Sequence, residues 1–274
     1  MAVTLLAVVA CGTGADSGDD GDGSSAAAVP GLAPHDYLPG LEAHPHVPEG
    51  TGSAPVVVMI PGGSWQSAHP SGLEPLAEAL AAAGVVAVPV RIRASADDVV
   101  YPTPVEDVLC ALADGAATAR EAGIEPARLV LLGHSSGAHL SAVATLAAAR
   151  FSPDCEDPVV VPDALIGLAG PYDIRQFADA ADALFAAPLD EAPAEWEAAN
   201  PVIHADLRPE VPVLLLHGEA DDVVPASFTT DFGTALAAAG HPTTVRVLVG
   251  EDHDTVYAAE TVAGPVIDWL GALP

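Results

Sequence analysis

The chain contains no lysine: its 8 basic residues are all arginine, set against 38 aspartates and glutamates, for a formal charge of -30. So negative a surface repels phosphate backbones and anionic lipid headgroups, which argues against nucleic acid and acidic membranes as partners. Aromatic residues are also scarce, at 4% of 274 residues, so alanine, valine and leucine must fill the core. They suffice, since hydrophobic residues make up 50% of the chain, enough for one buried core. No apolar run reaches the roughly 18 residues that span a bilayer. No Cys-x-x-Cys occurs, and the 3 cysteines match no zinc spacing. No glycine-rich loop ends in the Lys-Ser or Lys-Thr of a phosphate loop. No metal or cofactor is expected.

The first residues, MAVTLLAVVAC (1–11), are similar to a bacterial lipoprotein signal, in which cleavage before the cysteine leaves Cys11 to carry lipid. Residues 12–32 are a Gly/Ser/Asp-rich linker that cannot build a core. Residues 33–274 form the remaining domain. The expectation is an exported protein, lipid-anchored at the cell surface or secreted. Oxidising surroundings permit Cys110 and Cys155 to pair. Cys155 sits in the polar loop FSPDCEDP, where an exposed free thiol would be a liability.

Along the domain, residues 33–55 are proline-rich, so strands there are short or at an edge. Then apolar runs alternate with helical periodicity. VVVMI (56–60), VVAVPV (85–90), RLVLLG (128–133), DALIGLAG (163–170), PVLLLHG (212–218) and TTVRVLVG (243–250) read as strands. Helices are expected over 72–84, 103–123, 137–150, 228–240 and 255–273, the last interrupted at Gly264-Pro265. Residues 171–210 are irregular or helical. The alternation predicts an α/β fold with a mainly parallel central sheet and helices on both faces. Ligands of such sheets bind at the carboxyl ends of the strands.

Those ends carry chemistry. After RLVLL comes Gly133-His134-Ser135-Ser136-Gly137, opening a helix. Small residues at both ends of such a turn let strand and helix approach, while the serine stands proud of the sheet. A serine hydroxyl needs a base to become a nucleophile. Of ten histidines, only His253 follows the last strand, in EDHD. An acidic loop, Glu219 to Pro225, follows PVLLLHG. The order Ser, Asp, His at successive strand ends is that of an α/β-hydrolase, with the aspartate fixing the tautomer of the base. His217 reads as a packed strand-end residue and His139 as helix-face packing.

The joint pattern of IPGGSW (60–65), YPTPVEDV (101–108), GHSSGAHL (133–140), GLAGPYDI (167–174), PVLLLHGEADDVVP (212–225) and the late Asp-His resembles the α/β-hydrolase superfamily. More narrowly it resembles the esterase branch that holds bacterial feruloyl and acetylxylan esterases and kynurenine formamidases. The resemblance implies Asp221 as the acid, with Asp222 the fallback. It also implies an oxyanion hole from the amides of Gly63, Ser64 and Ser136. Where that branch commonly has histidine this chain has Pro61, so ring rigidity rather than a side-chain hydrogen bond is expected to hold the loop. The implied activity is a serine carboxylesterase acting on a small-molecule ester through an acyl-enzyme on Ser135, His253 and Asp221. The same residue types would serve an amidase, formamidase or peptidase. A silent hydrolase fold would serve as a surface binding module.

Overall fold

The computed structural model describes residues 33–273, so Cys11, the lipoprotein-like stretch and the linker lie outside the described residues. A short antiparallel hairpin, β1 (His35–Leu38) with β2 (Leu41–Ala43), leads in. Apolar runs then extend, because a strand covered on both faces hides every side chain of such a run. They are β3 (Gly52–Ile60), β4 (Val86–Pro89), β5 (Ile124–His134), β6 (Ala164–Leu168) and β7 (Val213–Gly218), with β8 (Thr243–Leu248) at the edge of the sheet and partly exposed. All neighbours are parallel, in the order β4-β3-β5-β6-β7-β8. Between them run α1 (Glu74–Ala82), α2 (Thr103–Glu121), α3 (Ser136–Ala147), α4 (Ala178–Ala181), α5 (Pro193–Ala198), α6 (Ser227–Ala239) and α7 (Ala259–Ala272).

The two faces of the sheet divide the strand residues by parity. Val57, Met59, Val130, Leu132, Ile166 and Leu214 face Leu76 and Leu80 of α1 and Val262, Val266 and Leu270 of α7. Val56, Val58, Leu131, Leu165 and Leu215 face α2, α3 and α6 through residues such as Leu109, Leu112, Val143 and Phe232. Both layers are thus aliphatic, as the scarcity of aromatics requires.

Three boundaries differ from the sequence reading. Strands β3 and β5 begin four residues before their apolar runs because they pair there with each other, Gly52 with Ile124 and Ser53 with Glu125. The ladder shifts register at Ala54/Pro55, where the proline has no N–H to give. Helix α7 runs straight through Gly264-Pro265. Pro265 removes one intrahelical bond, but Val262, Val266 and Leu270 stay buried along one face of the helix.

A disulfide joins Cys110 on α2 to Cys155 in the loop after α3, with Cα atoms 5.0 Å apart. It closes a separation of 45 residues, which the chain-entropy account values at about 4 kcal/mol. Replacing both cysteines by alanine should therefore lower the melting temperature by about 10 °C, measured by scanning calorimetry. An unchanged midpoint would show that the loop contributes nothing to the folding free energy.

Candidate active site

The parallel sheet brings its carboxyl-end loops to one edge. Ser135 follows β5 and takes φ 53° and ψ -124°, a backbone state that L-residues rarely adopt. The turn survives because its neighbours lack side chains. A Cβ on Gly133 would run into the Gly137 carbonyl, and one on Gly137 into the Ile60 carbonyl at the end of β3. A Cβ on Gly62 would come within 2.9 Å of Ser135 Cβ. The Ser135 amide donates to the Leu168 carbonyl at the end of β6, 2.9 Å away.

Ser135 Oγ lies 3.0 Å from His253 Nε2, and His253 Nδ1 lies 2.8 Å from Asp221 Oδ2. The tautomer follows from the partners. An ionised carboxylate only accepts, so Nδ1 carries the proton and Nε2 turns a lone pair to the serine hydroxyl. The Asp221 side chain is fully buried, and its Oδ1 accepts from the amides of Val223 (2.9 Å) and Val224 (2.8 Å). Asp222 is exposed beside it. A base so oriented can take the serine proton, and a buried carboxylate can stabilise the imidazolium that results.

Residues 62–65 make the facing wall. Ser64 and Trp65 have φ of 54° and 57°, and the Gly63 carbonyl accepts from the amides of Gln66 and Ser67. A Cβ on Gly63 would collide with the Ser67 carbonyl. Contrary to the expectation that ring rigidity at Pro61 would hold this loop without a side-chain hydrogen bond, such a bond braces it from Trp65. The Trp65 indole donates to His139 Nδ1 at 3.2 Å, and His139 Nε2 in turn donates to the Ala199 carbonyl at 2.8 Å. His139 is thus both helix-face packing and the anchor of the loop.

Gly63 and Ser64 share a cleft of about 310 Å³ with Ser135 and His253. Ser136 opens α3, its side chain buried away from the cleft; its amide belongs to the first turn of the helix, whose N–H groups lack intrahelical partners. Trp65, Tyr172 and Trp196 are buried packing, Tyr172 stacked on Phe232 and Trp196 on Phe185. His69 lines the cleft. Sequence reading missed Leu73, Val223, Asp254 and Tyr257 in that lining. It also missed His134, whose Nε2 donates to the His253 carbonyl at 2.9 Å while its ring packs between His253 and Tyr257. Its place inside the serine turn was the available signal. Among the described residues no group of three or more His, Cys, Asp or Glu is placed to hold a metal.

The BD-FAE family model matches residues 45–236, a span that holds Ser135 and Asp221 and stops short of His253. A probable carboxylic ester hydrolase of Mycobacterium tuberculosis, LipM, is 31% identical over 66% of this chain and 44% of its own. The esterase LipQ of the same organism is 27% identical over 80% of this chain and 56% of its own. The chain thus spans about half the length of the curated relatives it matches. Among solved structures, the propionate-bound esterase Est2 of the planctomycete Thermogutta terrifontis superposes with a TM-score of 0.71 at 22% identity, covering 89% of this chain and 93% of that one. A truncated carbohydrate esterase from gut microbiota gives 0.69 at 21%, covering 84% and 89%. The shared fold is that of the α/β-hydrolases.

Burial, with His253 close by, lowers His134 to about 3; burial lowers His139 to about 4. Both therefore fold as neutral rings, whereas an unfolded histidine titrates near 6.5. As pH falls through that value the unfolded chain takes up protons that the folded chain refuses, so stability present above it is lost below it. Together the two rings should remove about 3 kcal/mol between pH 7.5 and 5.5. Urea unfolding at the two pH values checks this, and equal stabilities would contradict it.

Proposed function

The chain belongs to the BD-FAE family, and from that premise we propose that it is a serine carboxylesterase. The single observation that carries the reading is the hydrogen-bonded series Ser135–His253–Asp221 at three strand ends. Ser135 Oγ attacks the ester carbonyl as its proton passes to His253 Nε2. The amides of Gly63, Ser64 and Ser136 receive the oxyanion, the kind of preorganised donation worth about 3 kcal/mol for each donor. Collapse breaks the C–O bond, and the imidazolium returns its proton to the departing alcohol. Water then enters by the same route: His253 takes its proton, hydroxide adds to the acyl carbon, and Ser135 leaves with the proton restored. Asp221 stays ionised throughout and stabilises the imidazolium in both halves.

The size of the cleft, about 310 Å³, supports small acyl groups, in keeping with the propionate-bound relative. The Cys110–Cys155 disulfide supports work in an oxidising compartment, outside the reducing cytoplasm.

Turnover of p-nitrophenyl acetate tests the assignment of roles. Ser135→Ala should lose at least about 10³-fold in kcat, and Asp221→Asn about 10⁴-fold because the wrong tautomer of His253 is then favoured. Asp222→Asn should stay within about twofold, since an exposed loop carboxylate makes little net contribution. Equal losses at Asp221 and Asp222, or full activity without Ser135, would overturn the reading.

A further inference from the structure

The carboxylate of Asp221 has a second histidine beside it. His217, one residue from the end of β7 and wholly buried, has Nε2 3.1 Å from Asp221 Oδ2. The same nitrogen lies 2.8 Å from the Val224 carbonyl, and Nδ1 lies 2.7 Å from the Thr229 hydroxyl on α6. The partners again decide the tautomer. A carbonyl can only accept, so Nε2 carries the proton, directed at Val224 with Oδ2 off to its side. Nδ1 is then a lone pair, and Thr229 must donate to it. Val224 itself donates its amide to Asp221 Oδ1. His217 therefore grips the loop at the residue whose N–H grips the acid.

We propose that His217, oriented by Thr229, is a positioning residue for the acid: it holds the 221–224 loop and sets how much negative charge Oδ2 presents to His253. For its catalytic meaning this rests on the esterase reading above. His217 is not itself part of the cleft lining and its hydrogen bonds go to Val224 and Thr229, so it acts through the acid loop. The titratable groups that face it are Asp221, His253 and His134. Burial holds His217 below the ordinary imidazole range, the Val224 carbonyl and Asp221 pulling the other way. A neutral ring is what the role needs, because it donates without placing a full positive charge near the base. Sharing Oδ2 with an N–H dipole weakens the pull of the carboxylate on the His253 proton. Removing that dipole makes His253 more basic.

The test follows the titration of His253 by the NMR signals of its imidazole, alongside the pH profile of kcat/KM on p-nitrophenyl acetate. In His217→Leu the His253 titration should move to higher pH than in wild type, and the acid limb of the profile should move with it. kcat should fall about tenfold with KM within about twofold, as expected when a group behind an active residue is lost. His217→Gln, whose amide N–H can occupy the place of Nε2, should restore the wild-type titration and bring kcat within about threefold. Thr229→Val, which leaves the ring but removes its orienting donor, should shift His253 in the same direction by less. A His253 that titrates as in wild type in both His217→Leu and Thr229→Val would overturn the proposal and leave His217 as core packing. If the leucine variant does not fold, Thr229→Val against His217→Gln decides on the same criterion. The NMR titration does not depend on turnover, so loss of the esterase reading, seen as turnover indifferent to Ser135→Ala, is told apart from loss of this one.

Discussion

The turn that presents Ser135 exists because α3 starts almost in contact with the end of β3, a distance that only glycine permits. Side-chain carbon at Gly137 would overlap the Ile60 carbonyl, and at Gly133 it would overlap the next turn of backbone. With those positions empty, the chain reverses within a few residues and Ser135 is held at φ 53°. That strain is held by its surroundings, the Leu168 carbonyl on one side and the sheet beneath. The reach of His253, the position of the 62–65 wall and the volume of the cleft are all set from this point. The ends of β3, β5, β6 and β7 beneath it are buried on both faces.

Electrostatics at the site run against the character of the whole chain. A protein with a formal charge of -30 places one buried carboxylate at its candidate active site and satisfies it fully. Val223 and Val224 serve one oxygen and His253 the other, with His217 Nε2 lying beside it at 3.1 Å. A buried carboxylate without such donors would be driven to take up a proton. Burial holds His134, His139 and His217 below the ordinary imidazole range, so they supply hydrogen bonds without competing charge. His134 ties the loop of the base back to the serine turn through a backbone carbonyl, and His139 ties the 62–65 wall to α3 through Trp65. The site is braced by imidazoles whose charge does not change across neutral pH.

Much of this could be read from residue order. Runs such as VVVMI and RLVLL are apolar at both parities, which only a doubly covered strand explains, and the loops after them then supplied Ser135, Asp221 and His253 in sequence. The extensions of β3 and β5 were not legible, because Ser53, Glu125 and Pro126 pair at a partly exposed end where no apolar pattern marks a strand. Helix α7 passed through Pro265 since packing of its buried face outweighed one lost bond. The bracing contacts left no trace in spacing at all: His134 meets His253 across 119 residues, and Trp65 meets His139 across 74. His217 meets Asp221 only four residues away, yet a histidine at a strand end is ordinarily packing, and its role depends on Thr229 and Val224 closing around it.

The proposed activation of Ser135 is tested most directly by mass spectrometry of the intact and digested protein after a fluorophosphonate. Such a reagent phosphonylates a serine hydroxyl only where a base takes its proton and donors accept the developing oxyanion. One adduct per chain is expected, on the peptide holding Ser135, and none in Ser135→Ala. Folded protein that takes up no adduct, or takes it up at another residue, would contradict it.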